Sequence, residues 1–512
     1  MANTFPTAPP GTCLIQKMPP EILLRISHYL STADLGCLRL TSWSIERSLY
    51  TAFVNEFFTR KQFMITQESL QALIDVSKSR LGQHLRFVEI GLDRFPEVQD
   101  MLLDDEKDER FRKGYANTFT LWNTGHHRDM MAEAFRNLEN LQDVVIRDFN
   151  SRRPSREGPF AKWRSYGYTT FFNETGVKLE HGGSSAWSAG FPYHYCSQAF
   201  AAVIYALGAA QARPRGIEIK SRSQNFLRDF AFNIPDFLQP SVVPILEGLE
   251  KLHLCIDPTW RFVFGEYHAR GPLQGDLFLY EFLCHATNVK NLRINMHLAA
   301  RIALPNLLAW IGGDFDSQAS TDRTRQGDLV FSMPRLEKLS LGNISVDGPL
   351  LLKVVRKFAP SLKSLELWDA DIVHRLPPDT PSTPAPRENL WDSFLEKLTE
   401  VPGLDLKHFK AGRLRQCWDE DKPPAQVSFK GYGAVCEYDG LNWKHFIGEI
   451  RPLLDGRWPE EHQHNNGEGE GTDDEDTDDE DIDDEGLDWE WGPLFQDVLD
   501  HSQQSLHPLW DV

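Results

Sequence analysis

Met18-Pro19-Pro20-Glu21-Ile22-Leu23-Leu24-Arg25-Ile26-Ser27-His28-Tyr29-Leu30, followed by Ser31-Thr32-Ala33-Asp34-Leu35-Gly36-Cys37-Leu38-Arg39-Leu40-Thr41, is the stretch around which the chain is organised. Pro19 and Pro20 suit the first turn of a helix, where a missing N–H costs nothing. Ile22, Leu23, Ile26 and Leu30 then fall on one apolar stripe. Ser31 or Thr32 caps a second helix, and Asp34, three residues after Ser31, gives it a capping-box-like start. Leu35 and Leu38, with Leu40 at the margin, supply its buried side. A third helix is expected from Ser42 or Ser44, carrying Ile45, Leu49, Phe53 and Phe57 at steps of four. Three helices in about 45 residues enclose little interior, so a partner that takes up some of their apolar residues would steady them.

The residues themselves resemble an F-box. Met18-Pro19-Pro20-Glu21-Ile22 is similar to that family's Leu-Pro-x-Glu-Ile opening, and Ala33-Asp34-Leu35 with Leu38-Arg39-Leu40 to its Asp-Leu…Leu-Arg-Leu centre. Thr41-Ser42-Trp43-Ser44 replaces the usual Val-Cys-Lys-x-Trp, a variant similar to filamentous-fungal F-box proteins. The resemblance covers residues 17–60. It implies binding to the Skp-type adaptor of an SCF (Skp–cullin–F-box) ubiquitin ligase and, through the adaptor, to a cullin. The residues it assigns to that contact are Met18, Pro19, Glu21, Ile22, Ile26, Leu30, Leu35 and Leu38. Pro19 and Glu21 would set the first turn and its cap. The aliphatic residues would divide between the small core and the adaptor groove.

Downstream, a unit of helix, short loop and short strand recurs. Thr66 caps a helix carrying Leu70, Leu73 and Ile74, with Gly82 placed as its C-cap, and Leu85–Ile90 follows as a strand. Later copies end in Leu138–Ile146, Gly216–Ile219, Leu249–Leu254, Val289–Ile294, Leu336–Leu341 and Leu362–Leu367, with a weaker one at Leu406–Ala411. Leu-x-x-Leu-x-Leu puts two inward residues on a strand and one in the turn before it, as a leucine-rich repeat requires. The spacing is irregular: Leu252, Leu292, Leu339 and Leu365 lie 40, 47 and 26 residues apart. The asparagine or cysteine expected three residues beyond the motif is missing. Asp257, His297, Ile344 and Ala370 stand there, so the turn backbone must find other partners.

The expected fold is therefore α/β: a disordered start (1–16), a three-helix F-box (17–60), an irregular leucine-rich-repeat-like solenoid (61–460), an acidic disordered segment (461–486) and an amphipathic end (487–512). Two insertions interrupt the solenoid. Residues 371–388 are rich in Pro and Thr and read as a flexible loop. Residues 151–195 turn from basic (Arg152, Arg153, Arg156) to aromatic (Trp163, Tyr166, Tyr168, Phe171, Phe172). Arginine interleaved with aromatics is what base stacking uses, but a loop packed over the solenoid edge as its own small cluster is the favoured reading.

The formal charge of the 512 residues is −20, and thirteen Asp or Glu lie within residues 468–485, so the remainder carries −20 + 13 = −7. That body is too weakly charged, and of the wrong sign, for a broad nucleic-acid surface. The like charges of 468–485 repel and have nothing to bury. Thr472 and Thr477 precede acidic residues and resemble acidophilic phosphorylation sites. No run approaches the ~20 apolar residues of a membrane helix, and the N-terminus lacks the pattern of a signal peptide. Seven cysteines without CxxC pairing (Cys13, Cys37, Cys196, Cys255, Cys284, Cys417, Cys436) point to reduced thiols in cytosol or nucleus.

No nucleotide-binding, hydrolase or metalloprotease motif is present, and His126-His127 and His462-x-His464 lack companions at ligand spacing. The reading is of a non-catalytic adaptor without cofactor, its solenoid holding a protein substrate. Its rivals are an acidic-tailed leucine-rich-repeat scaffold, resembling Ran GTPase-activating or acidic nuclear proteins, and an F-box scaffold that never joins a ligase.

Overall fold

The computed structural model describes residues 14–96, 104–152, 156, 162–179, 195–222, 225–257, 277–297, 304–313, 331–374, 389–417 and 424–457. The acidic segment, the amphipathic end and most of 371–388 lie outside them.

Three helices open the chain: α1 (Pro20–Ser27), α2 (Thr32–Leu40) and α3 (Trp43–Phe57). Strands and helices then alternate: β1 (Arg60–Met64), α4 (Gln67–Lys78), β2 (Phe87–Gly91), α5 (Asp105–Thr124), α6 (His126–Asn137), β3 (Asp143–Arg147), a hairpin of β4 (Ser151–Arg152) and β5 (Lys162–Trp163), α7 (Tyr168–Thr175), α8 (Tyr195–Ala210) and β6 (Gly216–Lys220). The series continues with α9 (Gln239–Gly248), β7 (Lys251–Ile256), α10 (Leu277–His285), β8 (Asn291–Met296), α11 (Leu304–Gly312), β9 (Lys338–Val346), α12 (Gly348–Phe358), β10 (Ser364–Val373), α13 (Leu390–Thr399) and β11 (His408–Gly412). The last described elements are β12 (Leu414–Cys417), β13 (Ala425–Phe429), β14 (Val435–Asp439), α14 (Trp443–Ile450) and β15 (Leu454–Arg457).

Apart from the small hairpin, the strands from β1 to β11 pair in chain order, each parallel to the last. Parallel neighbours need a crossover, and the intervening helices supply it. Strand register turns the leucine spacing into ladders. Val88, Val144, Ile217, Leu252, Leu292, Leu339, Leu365 and Phe409 stand side by side, and Leu254, Ile294, Leu341, Leu367 and Ala411 form a second row. Both rows belong to one core shared with α4, α6 and α8 to α14, and Leu249, Leu336 and Leu362 are buried in the turns before their strands.

The opposite face is polar. Its central row runs Gln62, Glu89, Val145, Glu218, His253, Arg293, Ser340, Glu366 and Lys410. Carboxylates buried here are each met by cations from neighbouring strands, since a lone buried charge would be very costly. Glu89 pairs with Arg60 and Arg147, both at 2.9 Å. Glu218 pairs with Lys251 at 2.9 Å and His253 at 3.2 Å, and Glu366 with Lys338, His408 at 3.5 Å and Arg293 at 3.7 Å.

Several local expectations change in physical detail. Helix α4 keeps its Thr66 cap but stops at Lys78, and Ser79 closes it in an extended conformation. Gly82 serves a different purpose: a Cβ there would lie 2.3 Å from the Ser77 carbonyl oxygen, so the turn demands close backbone approach. Near other strand ends, aspartates take up loop donors. Asp148 accepts from the Arg222 N–H at 2.8 Å, Ser221 Oγ at 2.7 Å and Asn225 Nδ2 at 3.0 Å, and Asp229 accepts from the Leu279 N–H.

In the 151–195 insertion, Tyr168, Phe171 and Phe172 pack with Phe95 and Phe111 in a separate cluster over Met64. These rings are engaged with one another, as the packed-loop reading expects. Trp163's side chain lies outside the described residues.

The sheet ends in a fork. Asn343, Asp369 and Arg413 all have left-handed backbones (φ 54°, 49° and 52°). They sit side by side, because Gly342 pairs with Trp368 and Trp368 with Gly412. Beyond this row β10 changes partner from β11 to β12; β11 continues into antiparallel β14, and β12 into antiparallel β13 and β15. The Trp368 ring lies across Gly412, where a Cβ would sit 2.4 Å from it.

Burial alone would push the Glu89 carboxyl up, but Arg147, Arg60 and Lys220 outweigh it and hold it at about 2; Glu366 is also held at about 2, by His408, Lys338 and Arg293 against burial. A carboxyl whose folded value is depressed contributes stability above its unfolded value and loses it as pH falls. Thermal unfolding should therefore show stability falling from about pH 5 to about pH 2, by on the order of 3 kcal/mol for Glu89. Glu89→Gln should be less stable at neutral pH and lose less on acidification. His408 has the opposite sign: its hydrogen bonds to Glu366 and Asp439 raise its value against burial. Its contribution is present below about pH 6.5 and fades as pH rises, a slope that His408→Gln should lack.

Candidate functional site

The opening helices are built as their caps require. Pro19 holds the N-cap of α1 with φ −54° and ψ 143°, and Pro20 occupies the first helical position. No side chain caps α1, so Glu21 acts as a negative charge in the first turn rather than as a cap. Ser31 Oγ accepts from the Asp34 N–H at 3.1 Å and donates to Asp34 Oδ2 at 2.8 Å, an N-cap whose acidic partner holds the serine hydroxyl in place of the backbone N–H of a full capping box. Ser42 caps α3, accepting from the Ile45 N–H at 3.3 Å. The third helix thus starts at the earlier of the two serines.

These helices enclose their own core of Leu23, Leu35, Ile45, Leu49, Phe53, Val54, Phe57 and Phe58, with Leu24, Leu30 and Leu38 half-buried against it. The apolar stripe of α1 is therefore split: Leu23 points in, while Ile22, the residue before it, is exposed (46%). The eight residues singled out from sequence divide accordingly. Met18, Pro19, Glu21 and Ile22 are exposed, Ile26, Leu30 and Leu38 are half-buried, and Leu35 is buried.

Three exposed apolar residues were not singled out, Leu14, Tyr29 and Trp43; a fourth, Leu40, expected at the margin of the buried side of α2, is instead exposed (62%). Tyr29 and Trp43 are the most exposed of them (83% and 82%). Tyr29 follows Ile22 by seven residues and Ile26 by three, a helical spacing that marks it in retrospect. Of eleven exposed large apolar residues among the described ones, six fall within residues 14–43. More than half of them are thus concentrated on one small unit.

The unit is fastened to the body at two places. Glu46 of α3 pairs with Arg39 at 3.1 Å and with Arg80, beyond α4, at 2.6 Å. Tyr50 donates to the Arg80 carbonyl at 3.2 Å. From the far insertion, Arg156 grips Glu56 of α3 with two bonds of 2.6 and 2.8 Å. Its other Nη donates to the carbonyls of Ser27 and Leu30 at the end of α1. One guanidinium thus satisfies orphan helix carbonyls and ties α1 to α3.

Residues 15–49 match the F-box domain family. The match spans α1, α2 and the first half of α3, the same helices that carry the exposed apolar residues. No curated protein matches the chain. Among solved structures, the chain is similar to one in the crystal structure of the Rad7 and Elc1 complex in yeast, at 12% identity, over 77% of this chain and 88% of that one, with a TM-score of 0.22. A score that low carries no argument.

Ligand-spaced groups elsewhere are committed to other partners. His127 is buried, its Nδ1 3.1 Å from the Leu121 carbonyl and its ring 4.2 Å from that of Trp122. His408, Glu437 and Asp439 lie within reach of one another. Glu437 is paired with Lys410 at 2.6 Å, and His408 sits between Glu366 and Asp439. His462 and His464 lie outside the described residues.

Arg156 gives a direct test of the fastening. Because its side chain is nearly buried, Arg156→Ala should leave Glu56 and two helix carbonyls uncompensated and cost about 3 kcal/mol. Hydrogen exchange should rise first in α1 and at the α1–α2 junction, with the parallel sheet still protected. Unchanged exchange there would show that the clasp is idle.

Proposed function

We propose that this protein is the substrate-recognition adaptor of an SCF-type ubiquitin ligase, its F-box binding a Skp-type adaptor and its sheet-and-helix body holding the substrate. The observation that carries the reading is the coincidence of the F-box match with the main concentration of exposed apolar side chains among the described residues. A helical unit with Met18, Ile22, Tyr29, Leu40 and Trp43 turned to solvent is suited to docking against a partner's groove. The chain would perform no bond chemistry; it would raise the effective concentration of substrate lysines beside a ligase-bound ubiquitin carrier.

The body reads as an irregular leucine-rich-repeat-like solenoid following an F-box over 17–60. Parallel strands in chain order and two leucine-type ladders support this, and its polar face would hold the substrate. Cytoplasm or nucleus is the setting that suits it, since the six described cysteines are free thiols. The early Trp43 favours the filamentous-fungal variant of the F-box.

Co-purification with a Skp-type adaptor tests the reading. Ile22→Asp changes an exposed residue, so it should leave the fold intact by circular dichroism and weaken the adaptor at least tenfold, about 1.4 kcal/mol. Leu35→Asp would instead place a charge in the small core and report on folding. A folded wild-type protein that fails to bind, or an Ile22→Asp variant that binds as well as wild type, would sink the adaptor reading. Recovery of the cullin in the same complex would separate a ligase subunit from a free-standing scaffold.

A further inference from the structure

The polar face of the parallel sheet differs in sign from the chain that carries it. The three in-register rows on that face, taken from β1 to β11, hold seven Lys or Arg and four Asp or Glu, a net of +3 in a protein of net −20. Exposure sharpens the contrast. The side chains of Glu89, Asp143, Glu218 and Glu366 are only 1–8% exposed, whereas those of Lys220, Lys251, Arg293 and Lys338 are 15–32% exposed. The buried carboxylates pair with the charged ends of these cations, and the donors those pairs leave over, on ends still partly open to solvent, are what an arriving group meets. An ammonium has three donors; the pairing of Lys338 with Glu366 uses one, and that of Lys251 with Asp143 and Glu218 uses two.

The chain also contains a segment of complementary charge. Thirteen of its acidic residues lie within Glu468–Glu485. The described chain ends at Arg457 in β15, which pairs with β13, which pairs with β12, which pairs with β10. Three strand spacings put β10 about 15 Å from that exit, and the ten residues 458–467 span up to about 33 Å when extended. The acidic run therefore reaches the face from its fork end. Glu437 and Asp439 make the β14 margin acidic, which favours a seat farther along, over β6 to β9.

We propose that the acidic run Glu468–Glu485 docks in cis on the polar face of the sheet, against Lys220, Lys251, Arg293 and Lys338. Phosphorylation of Thr472 or Thr477 would add charge to the run and tighten the contact. An acidic segment of a substrate would have to displace it, so the tail would set a threshold for occupancy of that face. This inference does not depend on the adaptor reading, because no part of it involves the F-box helices.

The test uses the full-length protein and a full-length variant with every Asp and Glu of 468–485 changed to Asn or Gln. A fluorescent synthetic peptide of residues 466–486 is the probe, read by anisotropy at low salt. The neutralised variant should bind it at least tenfold more tightly than wild type, whose own run occupies the face. Raising the salt should abolish that binding, because the contact is electrostatic. Adding Lys220→Gln and Lys338→Gln to the neutralised variant should weaken the peptide severalfold with the melting temperature checked in parallel. If a folded neutralised variant does not bind the peptide, or binds it no better than wild type, the docking in cis is wrong. Binding that survives both lysine changes would place the contact elsewhere and overturn the proposal equally.

Discussion

The structure depends on strands that must satisfy two different neighbours at once. Side chains alternate across a strand, so each parallel strand gives one face to the helices and the other to the polar surface. On the helix side the solution is apolar stacking in register, as in Leu252, Leu292, Leu339 and Leu365. On the other side it is charge balance between strands, as in Glu89 held between Arg60 and Arg147. A slip of one residue would exchange the two faces and put Glu89, Glu218 and Glu366 into the apolar core. Register, more than any single contact, is what these carboxylates enforce.

The two ends of the molecule meet this constraint differently. At the start, a small helical unit keeps its own core and turns its surplus apolar residues outward, held in place by Glu46–Arg80 and by Arg156. At the other end, left-handed residues in β9 and β10 and a third between β11 and β12 let the sheet divide instead of continuing flat. Asparagine and aspartate tolerate that conformation better than most residues, and Arg413 adopts it with its N–H bonded to the Ala434 carbonyl at 2.9 Å.

Much of this was legible in the sequence. The caps at Ser31, Ser42 and Thr66, the four-residue steps of α3 and the Leu-x-x-Leu-x-Leu runs all depend on neighbours close in sequence, and local periodicity records such neighbours faithfully. The split of the α1 stripe was less legible, because Ile22 and Leu23 differ in burial only through the packing of α2 and α3 around them. Helix α5 was invisible: its first half, Asp105 to Arg112, is almost wholly charged, and its Phe111 is buried by residues that the chain reaches 60 positions later. Arg156 looked like part of a basic patch because its partner, Glu56, is 100 residues away. The fork at Arg413 had no signal of its own, since a left-handed arginine is a response to surrounding strands and not to its own identity.

The fork has a consequence for how the protein behaves in a crowd. A long parallel sheet offers open backbone groups along its outermost strands, which invite pairing with other chains and the growth of polymers. Here the first strand, β1, is capped at one point: the Tyr166 N–H donates to the Gln62 carbonyl at 2.9 Å, and Tyr166 bridges to Phe63. At the far end, division at Asn343, Asp369 and Arg413 replaces one long edge with two short antiparallel branches. Among the described residues neither branch continues the long parallel edge, so any strand that added there would meet a short antiparallel ribbon in place of the full sheet.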